Sequence, residues 1–253
     1  EMFKYKDPEI TSTILIALSR IKTIEALKGL LDNLVYIYEH WLVTRKTIVT
    51  AISNFDINFL PLVMEYAEKN FNNPKILTVI LNAISNFKDS NLIKFVVNLI
   101  SCEAAEVKAK ALKIVEKNAE YLEKEDIDKI MKLKNDPSWF VRLRLVKALE
   151  YIRDERVLFT LESLLFDANW QVRDAAARTL SKFCNSAIDV IINVLESSDI
   201  YAKENLCEAL QKNFFISRLF DNLKSCDKEI KEKSDRILRI LESFNLCPIN
   251  DNN

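Results

Sequence analysis

The sequence contains one glycine, Gly29, and only five prolines among its 253 residues. Sheet proteins and nucleotide-binding enzymes need glycines at hairpin turns, bulges and phosphate-binding loops. This scarcity excludes most such folds and predicts an essentially all-helical protein. Hydrophobic residues make up 49% of the chain, so it can bury a sizeable core and is not expected to be disordered.

Histidine and net charge are also scarce. His40 is the only histidine, which disfavours a zinc site and a catalytic triad built on imidazole. The 36 Lys and Arg residues nearly balance the 37 Asp and Glu residues, giving a formal net charge of -1 at pH 7. No global field therefore attracts nucleic acid or an anionic membrane. We expect no catalytic residue, no metal and no cofactor.

The cysteines show no paired arrangement. They are odd in number, far apart and without a CxxC pair, at Cys102, Cys184, Cys207, Cys226 and Cys247. We interpret them as free residues packed within the helices of a cytoplasmic protein, because the cytoplasm is reducing. No apolar run reaches about 18 residues and no signal peptide is present, so we expect no membrane span in this chain.

A nine-residue pattern recurs eight times along the chain. Apart from Thr44, Thr179 and Ser234, the copies have apolar residues at positions i, i+4, i+7 and i+8, which form one stripe on a helix. The copies start 28 to 34 residues apart, at 10–18, 44–52, 76–84, 107–115, 141–149, 172–180, 202–210 and 230–238. A second apolar-periodic stretch follows each of the first seven copies. Three of these stretches follow an aspartate suited to a helix start, namely Asp56, Asp89 and Asp154.

A single helix pair of about 31 residues cannot bury its apolar face alone, whereas stacked pairs share a continuous core. The repeat predicts an all-α protein, a right-handed α-solenoid (α-α superhelix) of about seven to eight helix pairs. We expect one solenoid over residues 1–247 and a frayed polar tail at 248–253. A globular helical bundle is the alternative fold, but a bundle has no reason to repeat at this period.

The sequence begins within a helical pattern. We therefore expect it to be a fragment of a longer protein. A membrane anchor outside the fragment is an alternative to a cytoplasmic location.

Two central copies of the pattern carry the motif D-x-x-W-x-V-R, at 136–142 and 167–173, 31 residues apart. With the apolar positions that follow them, at 145–149 and 176–180, they resemble HEAT repeats, most closely the short repeats of phycobilisome-lyase-like HEAT proteins. The resemblance covers residues 3–245 and weakens towards both ends. It implies that the Asp and the Arg six residues later form a hydrogen-bonded ladder along the stack.

The ladder can be assigned to particular residues through this resemblance. The implied pairs are Asp136 with Arg142, Asp167 with Arg173 and, more loosely, Glu39 with Arg45. In other repeats the acid is replaced by Cys102, Ser197 and Ser225. We expect the ladder to be broken at these replacements.

The resemblance also implies that the second helix of each pair lines a concave surface. Aligning these helices on their buried positions predicts an exposed set of mixed, mildly acidic character, which favours a peptide or protein over a polyanion. The members that we predict to bind a partner are Phe95, Arg156, Phe159, Ser163, Phe166, Asp189 and Asn193. Phe159 and Phe166 share one helical face and would be binding anchors if exposed, whereas a slightly rotated helix would bury one or both of them.

The sequence also contains features of three other functional classes: a DNA glycosylase, a lyase-like accessory protein and a nucleic-acid-binding protein. Trp139 and Trp170 suggest a HEAT-like DNA glycosylase, but no Trp-Trp-Asp cluster accompanies them, and we expect both to pack at repeat-specific positions. A lyase-like accessory protein would need a reactive cysteine, and no cysteine has an activating neighbour in sequence. Basic residues of the first helices, such as Arg144 and Arg178, could contact phosphates, but acids interrupt them, so nucleic-acid binding is not expected.

These observations favour a monomeric, non-catalytic scaffold or adaptor that binds a protein or peptide through its concave face. The step from fold to function depends on the family resemblance, because a fold by itself does not establish a function.

Overall fold

The computed structural model describes residues 6–244, apart from the side chain of Cys184. These residues form sixteen α-helices joined by turns and short 3-10 helices, and no strand occurs among them. The chain divides into two compact units, Glu1–Asp126 and Ile127–Asn253. The predictions for Cys247 and for the tail at 248–253 concern residues outside the described part of the chain.

In the first unit, the predicted first and second helices of each pair alternate along the chain. Its helices are α1 (Pro8–Ile21), α2 (Ile24–Asp32), α3 (Leu34–Glu39), α4 (Arg45–Ser53), α5 (Leu60–Lys69), α6 (Pro74–Ile84), α7 (Ser90–Leu99) and α8 (Ala105–Asn118), with 3-10 helices at Ile57–Phe59 and Ala119–Tyr121. The predicted first helices form one layer, because α1 packs on α4, α4 on α6 and α6 on α8. The second helices α5 and α7 alternate with this layer, and α2 and α3 together stand where one second helix is expected.

The second unit continues the alternation. Its helices are α10 (Trp139–Leu149), α11 (Arg156–Leu165), α12 (Trp170–Leu180), α13 (Ile188–Glu196), α14 (Ile200–Lys212), α15 (Phe215–Asn222) and α16 (Lys228–Ser243), with 3-10 helices at Lys132–Asn135 and Ser181–Ala187. The helix α9 (Lys124–Met131) lies at the division between the units. The first helices again stack, α10 on α12 and α12 on α14, and the second helix α11 packs on α12 and α13.

The nine-residue stripe forms the core of the central pairs, whereas in α1 Ile10 is exposed and the buried residues are Thr11, Leu15 and Ser19. In α10 its four positions are Val141, Leu145, Ala148 and Leu149, all fully buried. The same four positions are buried in α8, α12 and α14. Burial of apolar surface is the dominant favourable contribution to folding, so the repeat in the sequence determines which side of each of these helices is buried. The predicted all-α solenoid of stacked helix pairs is confirmed, while a single domain over residues 1–247 stays a prediction.

Two of the three predicted aspartates bond to the start of a helix. Asp89 accepts the N–H groups of two residues in the first turn of α7. Asp154 accepts the N–H of Arg156 at 3.0 Å where α11 begins. Asp56 precedes a 3-10 turn and makes no capping hydrogen bond. Its carboxylate instead lies 3.3 Å from the Lys22 ammonium.

The last helix differs from the sequence prediction. The repeat pattern makes α16 the eighth first helix, which should stack beside α14, yet α16 packs mainly against α13 and α15. Its buried residues include Ile237 and Leu241. The short α15 makes few contacts with α13, and α16 covers that side of α13 instead. The apolar stripe is satisfied by this alternative neighbour, because a stripe specifies burial and not the helix that provides it.

No single helix within residues 6–244 has both the length and the apolar composition needed to cross a bilayer. The helix α4 and the segment Ile57–Lys69 reach that length and composition only together, as a pair bent by 103°.

Candidate binding surfaces of the second unit

The exposed side of α11 carries two aromatic residues. The side chain of Phe159 is 66% exposed and that of Phe166 is 42% exposed, and Ser163 lies exposed between them. The opposite side of α11 is buried through leucines such as Leu161 and Leu164. The possibility that a rotated helix buries both phenylalanines is therefore wrong. We call the surface formed by Phe159, Ser163 and Phe166 the α11 face.

Arg156 lies at the N-terminal end of α11 and is half-buried. Its Nε and Nη2 atoms donate to the two carboxylate oxygens of Asp154 at 2.8 Å and 2.7 Å, and its Nη1 atom donates to Asp128. The hydrogen bond to Asp154, together with the negative charges of both aspartates, raises the pKa of the Arg156 guanidinium. Arg156 is thus held in place by its own chain and borders the α11 face.

Asp189 and Asn193 lie on the exposed side of α13 and also have partners within the chain. An Asp189 carboxylate oxygen lies 2.7 Å from the Lys233 ammonium of α16. This hydrogen bond is the largest cause of the raised pKa of Lys233. The Asn193 amide donates to Glu162 of α11 at 3.3 Å. These two predicted binding residues therefore connect neighbouring helices of the second unit.

Phe95, in the first unit, is not part of an exposed surface. The sequence alignment predicts it to be exposed, but only 8% of its side chain is accessible, so this prediction is wrong. The helix α7 buries most of its length, including Val96 and Val97 beside Phe95. A helix that is apolar on more than one side packs against neighbours on more than one side, and its aromatic residue joins the core.

The ladder predicted from the D-x-x-W-x-V-R motif crosses from one repeat to the next. Arg142 of α10 donates to both carboxylate oxygens of Asp167, from Nε at 2.6 Å and from Nη2 at 2.7 Å. Its third nitrogen, Nη1, donates to the backbone oxygen of Asp136 at 2.7 Å. The pairing inferred within one repeat, Asp136 with Arg142, thus uses the main chain, while the carboxylate partner comes from the following repeat.

The side chains of Arg142 and Asp167 are both nearly buried, and their contact shifts the pKa of each. The hydrogen bond to Asp167 raises the pKa of the Arg142 guanidinium. Burial by itself would raise the pKa of Asp167. The hydrogen bonds from Arg142 and from the Asn169 N–H outweigh it, aided by the charges of Arg142 and Arg173, so the pKa of Asp167 is lowered.

Arg173, the corresponding residue of α12, repeats only the main-chain half of this arrangement. Its Nη1 atom donates to the backbone oxygen of Asp167 at 2.7 Å. Its Nε atom is buried and has no hydrogen-bond partner among the described residues. Ser197, which replaces the ladder acid of the next repeat, donates its hydroxyl to the Val194 carbonyl at 2.8 Å. The ladder thus ends at Arg173.

Aromatic side chains surround this end of the ladder. Trp170 is 64% exposed and Tyr201 is 66% exposed, and the Tyr201 ring centroid lies 5.5 Å from the Arg173 guanidinium carbon. Trp139 is also exposed, so the expectation that both tryptophans are packed is wrong. Tyr201 was not singled out by the sequence analysis. Because Ser197 stands where the ladder has an acid, the sequence could have predicted that Arg173 lacks a carboxylate partner from the next repeat.

The histidine and the cysteines are the remaining candidates for chemistry. No cluster of three or more His, Cys, Asp or Glu residues suited to a metal occurs within residues 6–244. The His40 Nδ1 atom lies 2.9 Å from the Tyr36 carbonyl oxygen. Of the cysteines with described side chains, Cys207 is buried, Cys102 is half-buried and Cys226 is exposed.

Residues 127–212 match the family model described as HEAT repeats. No curated protein matches the chain. Among solved structures, the chain is similar to an engineered protein at 16% identity and a TM-score of 0.46, over 93% of this chain and 74% of that chain. It is similar to Cex1p at 13% identity and a TM-score of 0.47, over 97% of this chain and 55% of that chain. Human deoxyhypusine hydroxylase shares 14% identity, with a TM-score of 0.32, over 90% and 88% of the two chains.

The matched residues contain the five helices from α10 to α14 and both copies of the D-x-x-W-x-V-R motif. They also contain the ladder between Arg142 and Asp167. The family match and the stacked helix pairs of this segment agree, and residues 127–212 form HEAT repeats.

Proposed function

We propose that this protein is a non-catalytic scaffold or adaptor whose α11 face binds a protein or peptide partner. The observation that carries the proposal is the exposure of Phe159 and Phe166 on the same side of one helix. Isolated exposed apolar residues are common, but aromatic residues that share a face and border polar groups are typical of binding anchors. Burying a phenylalanine side chain on binding contributes about 1.5–3 kcal/mol.

The charges around the α11 face support a protein partner over a polyanion. Glu162 lies on α11 and Asp189 on α13, while Arg156 is neutralised by two aspartates. Such a mixed surface gives a polyanion no continuous positive track to follow. The first helices are equally mixed, because Lys182 pairs with Glu150 at 2.7 Å and Arg178 with Asp174 at 3.0 Å. A monomeric state and a cytoplasmic location are expectations that accompany this proposal.

The test compares the wild-type protein with the double variant Phe159→Ala/Phe166→Ala in affinity capture from the lysate of the source organism. Captured proteins are quantified by mass spectrometry at low and moderate salt, and the leading candidate is then purified and titrated. We expect the double variant to bind that candidate about 100-fold more weakly, because two anchors are removed. The melting temperature should change little, since both side chains are exposed.

The matched control is Phe71→Ala/Phe214→Ala, which removes two other exposed phenylalanines. The control should bind as the wild type does. Equal loss in both double variants would show that the α11 face has no special role. Capture limited to nucleic acid and its associated proteins, lost with salt but unaffected by the double variant, would contradict a protein-binding scaffold and favour the nucleic-acid alternative.

A further inference from the structure

The guanidinium groups of Arg142 and Arg173 make the same hydrogen bond through Nη1. Their Nε atoms differ in whether they have a partner. In each, Nη1 donates at 2.7 Å to the backbone oxygen of the aspartate six residues earlier. The Nε and Nη2 edge of Arg142 holds the Asp167 carboxylate. The Nε atom of Arg173 is buried without a hydrogen-bond partner. Arg173 is therefore oriented by the main chain as Arg142 is. Its Nε atom, however, has no carboxylate partner among the described residues.

No nearby side chain of the next repeat supplies that carboxylate. Ser197 stands at the ladder position, and its hydroxyl donates to the Val194 carbonyl within its own helix turn. The next acid along the chain, Asp199, accepts the N–H of Ala202 at 2.8 Å and caps α14. A buried donor without an acceptor is costly, so a group that provides an acceptor there gains more than an ordinary surface hydrogen bond.

Besides the charge of Arg173, two aromatic side chains near it can contact a ligand. The Arg173 guanidinium carbon lies over the Tyr201 ring, 5.5 Å from the ring centroid, which places an aromatic surface beside the charge. Trp170 lies three residues before Arg173 in α12, so both residues lie on the same side of the helix. Because Trp170 and Tyr201 are both largely exposed, their rings can rotate to admit a ligand and then pack against it.

We propose that the surface formed by Arg173, Trp170 and Tyr201 binds an Asp or Glu side chain of a protein partner that has an apolar residue beside it. The carboxylate accepts a hydrogen bond from the Arg173 Nε atom, as the Asp167 carboxylate does from Nε of Arg142. The apolar residue packs on the two aromatic rings. A planar carboxylate matches the planar arginine group and supplies the acceptor that the Arg173 Nε atom lacks. The partner thereby takes the place of the acid that Ser197 replaces, and this surface is separate from the α11 face.

The test follows the Arg173 Nε–H resonance by NMR, assigned from its loss in Arg173→Lys. The probe is the blocked peptide Ac-Gly-Asp-Leu-Gly-NH2, and Ac-Gly-Asn-Leu-Gly-NH2 has the same shape without the charge. We expect a saturable shift of this resonance with the aspartate peptide only. Inorganic phosphate is titrated in parallel, and a saturable response to phosphate without one to the aspartate peptide would overturn the proposal.

Two charge variants separate a specific site from a general charge effect. Ser197→Asp places a carboxylate of the chain itself at the ladder position, so it should shift the Arg173 resonance without peptide. It should also weaken peptide binding by about tenfold or more. Ser198→Asp adds the same charge one residue away, on an exposed position, and should leave the response nearly unchanged. Equal weakening in both variants, or equal response to the two peptides, would overturn the proposal.

Discussion

Arg142 donates from Nε at 2.6 Å and from Nη2 at 2.7 Å to the two carboxylate oxygens of Asp167, which belongs to the following repeat. This contact joins α10 to the turn before α12 and is nearly buried on both sides. A planar, two-point contact of this kind restrains both the distance and the rotation of neighbouring repeats. The stack in the second unit is therefore held by a polar contact at its edge as well as by its apolar core.

Asp167→Ala should lower the free energy of unfolding by about 3 kcal/mol, because Arg142 would remain nearly buried without its carboxylate partner. Urea unfolding measures this loss, and a double-mutant cycle with Arg142→Ala should give a coupling of about 1 kcal/mol or more. The more exposed pair Arg178 and Asp174 is the matched control, with a coupling below about 0.5 kcal/mol. Equal coupling in the two pairs would contradict a special contribution from the ladder.

The lowered pKa of Asp167 predicts how stability depends on pH. A carboxyl group whose pKa is lower in the folded than in the unfolded protein adds stability above its unfolded pKa of about 3.9. That contribution is lost as the pH falls through the lower, folded pKa. Melting temperatures measured from pH 6 downwards should therefore fall less steeply in Asp167→Asn than in the wild type. Parallel curves for the two proteins would show that Asp167 does not contribute in this range.

Ser197→Asp should stabilise the protein by about 1 kcal/mol, because the buried Arg173 Nε atom would gain a charged acceptor. The measurement is the urea midpoint, compared with that of Ser198→Asp, which adds the same charge without reaching the ladder position. In the background Arg173→Ala the gain should disappear. A gain that survives in that background would have to come from the helix N-terminus and not from the ladder.

Two phenylalanines of second helices should respond oppositely to truncation. Phe95→Ala should cost about 3–5 kcal/mol of stability, because it leaves a cavity in the core. Phe159→Ala should cost less than about 1 kcal/mol, since its ring is largely exposed. Thermal and urea unfolding of the two variants compare them directly. A large loss in Phe159→Ala would show that the α11 face is a structural surface.

The helix-pair repeat and the buried stripe of its central copies were readable from residue types and spacing alone. Apolar residues at i, i+4, i+7 and i+8 must be buried, and a stripe such as Val141 to Leu149 leaves few other arrangements than stacked pairs. The acid-to-serine change at Ser197 likewise marked where the ladder ends. These properties are local, because each can be predicted from one residue type or from one spacing along the chain.

The tertiary structure decided which neighbour satisfies each local requirement. The stripe of α16 required burial, but only the packing showed that α13 and α15 provide it. The motif placed Asp136 and Arg142 in one repeat, yet the carboxylate that Arg142 holds is that of Asp167. The tertiary structure also decided exposure, because Phe95 and Phe159 were both predicted to be exposed and only Phe159 is. A sequence pattern specifies what a side chain needs, whereas only the packed helices determine which residue supplies it.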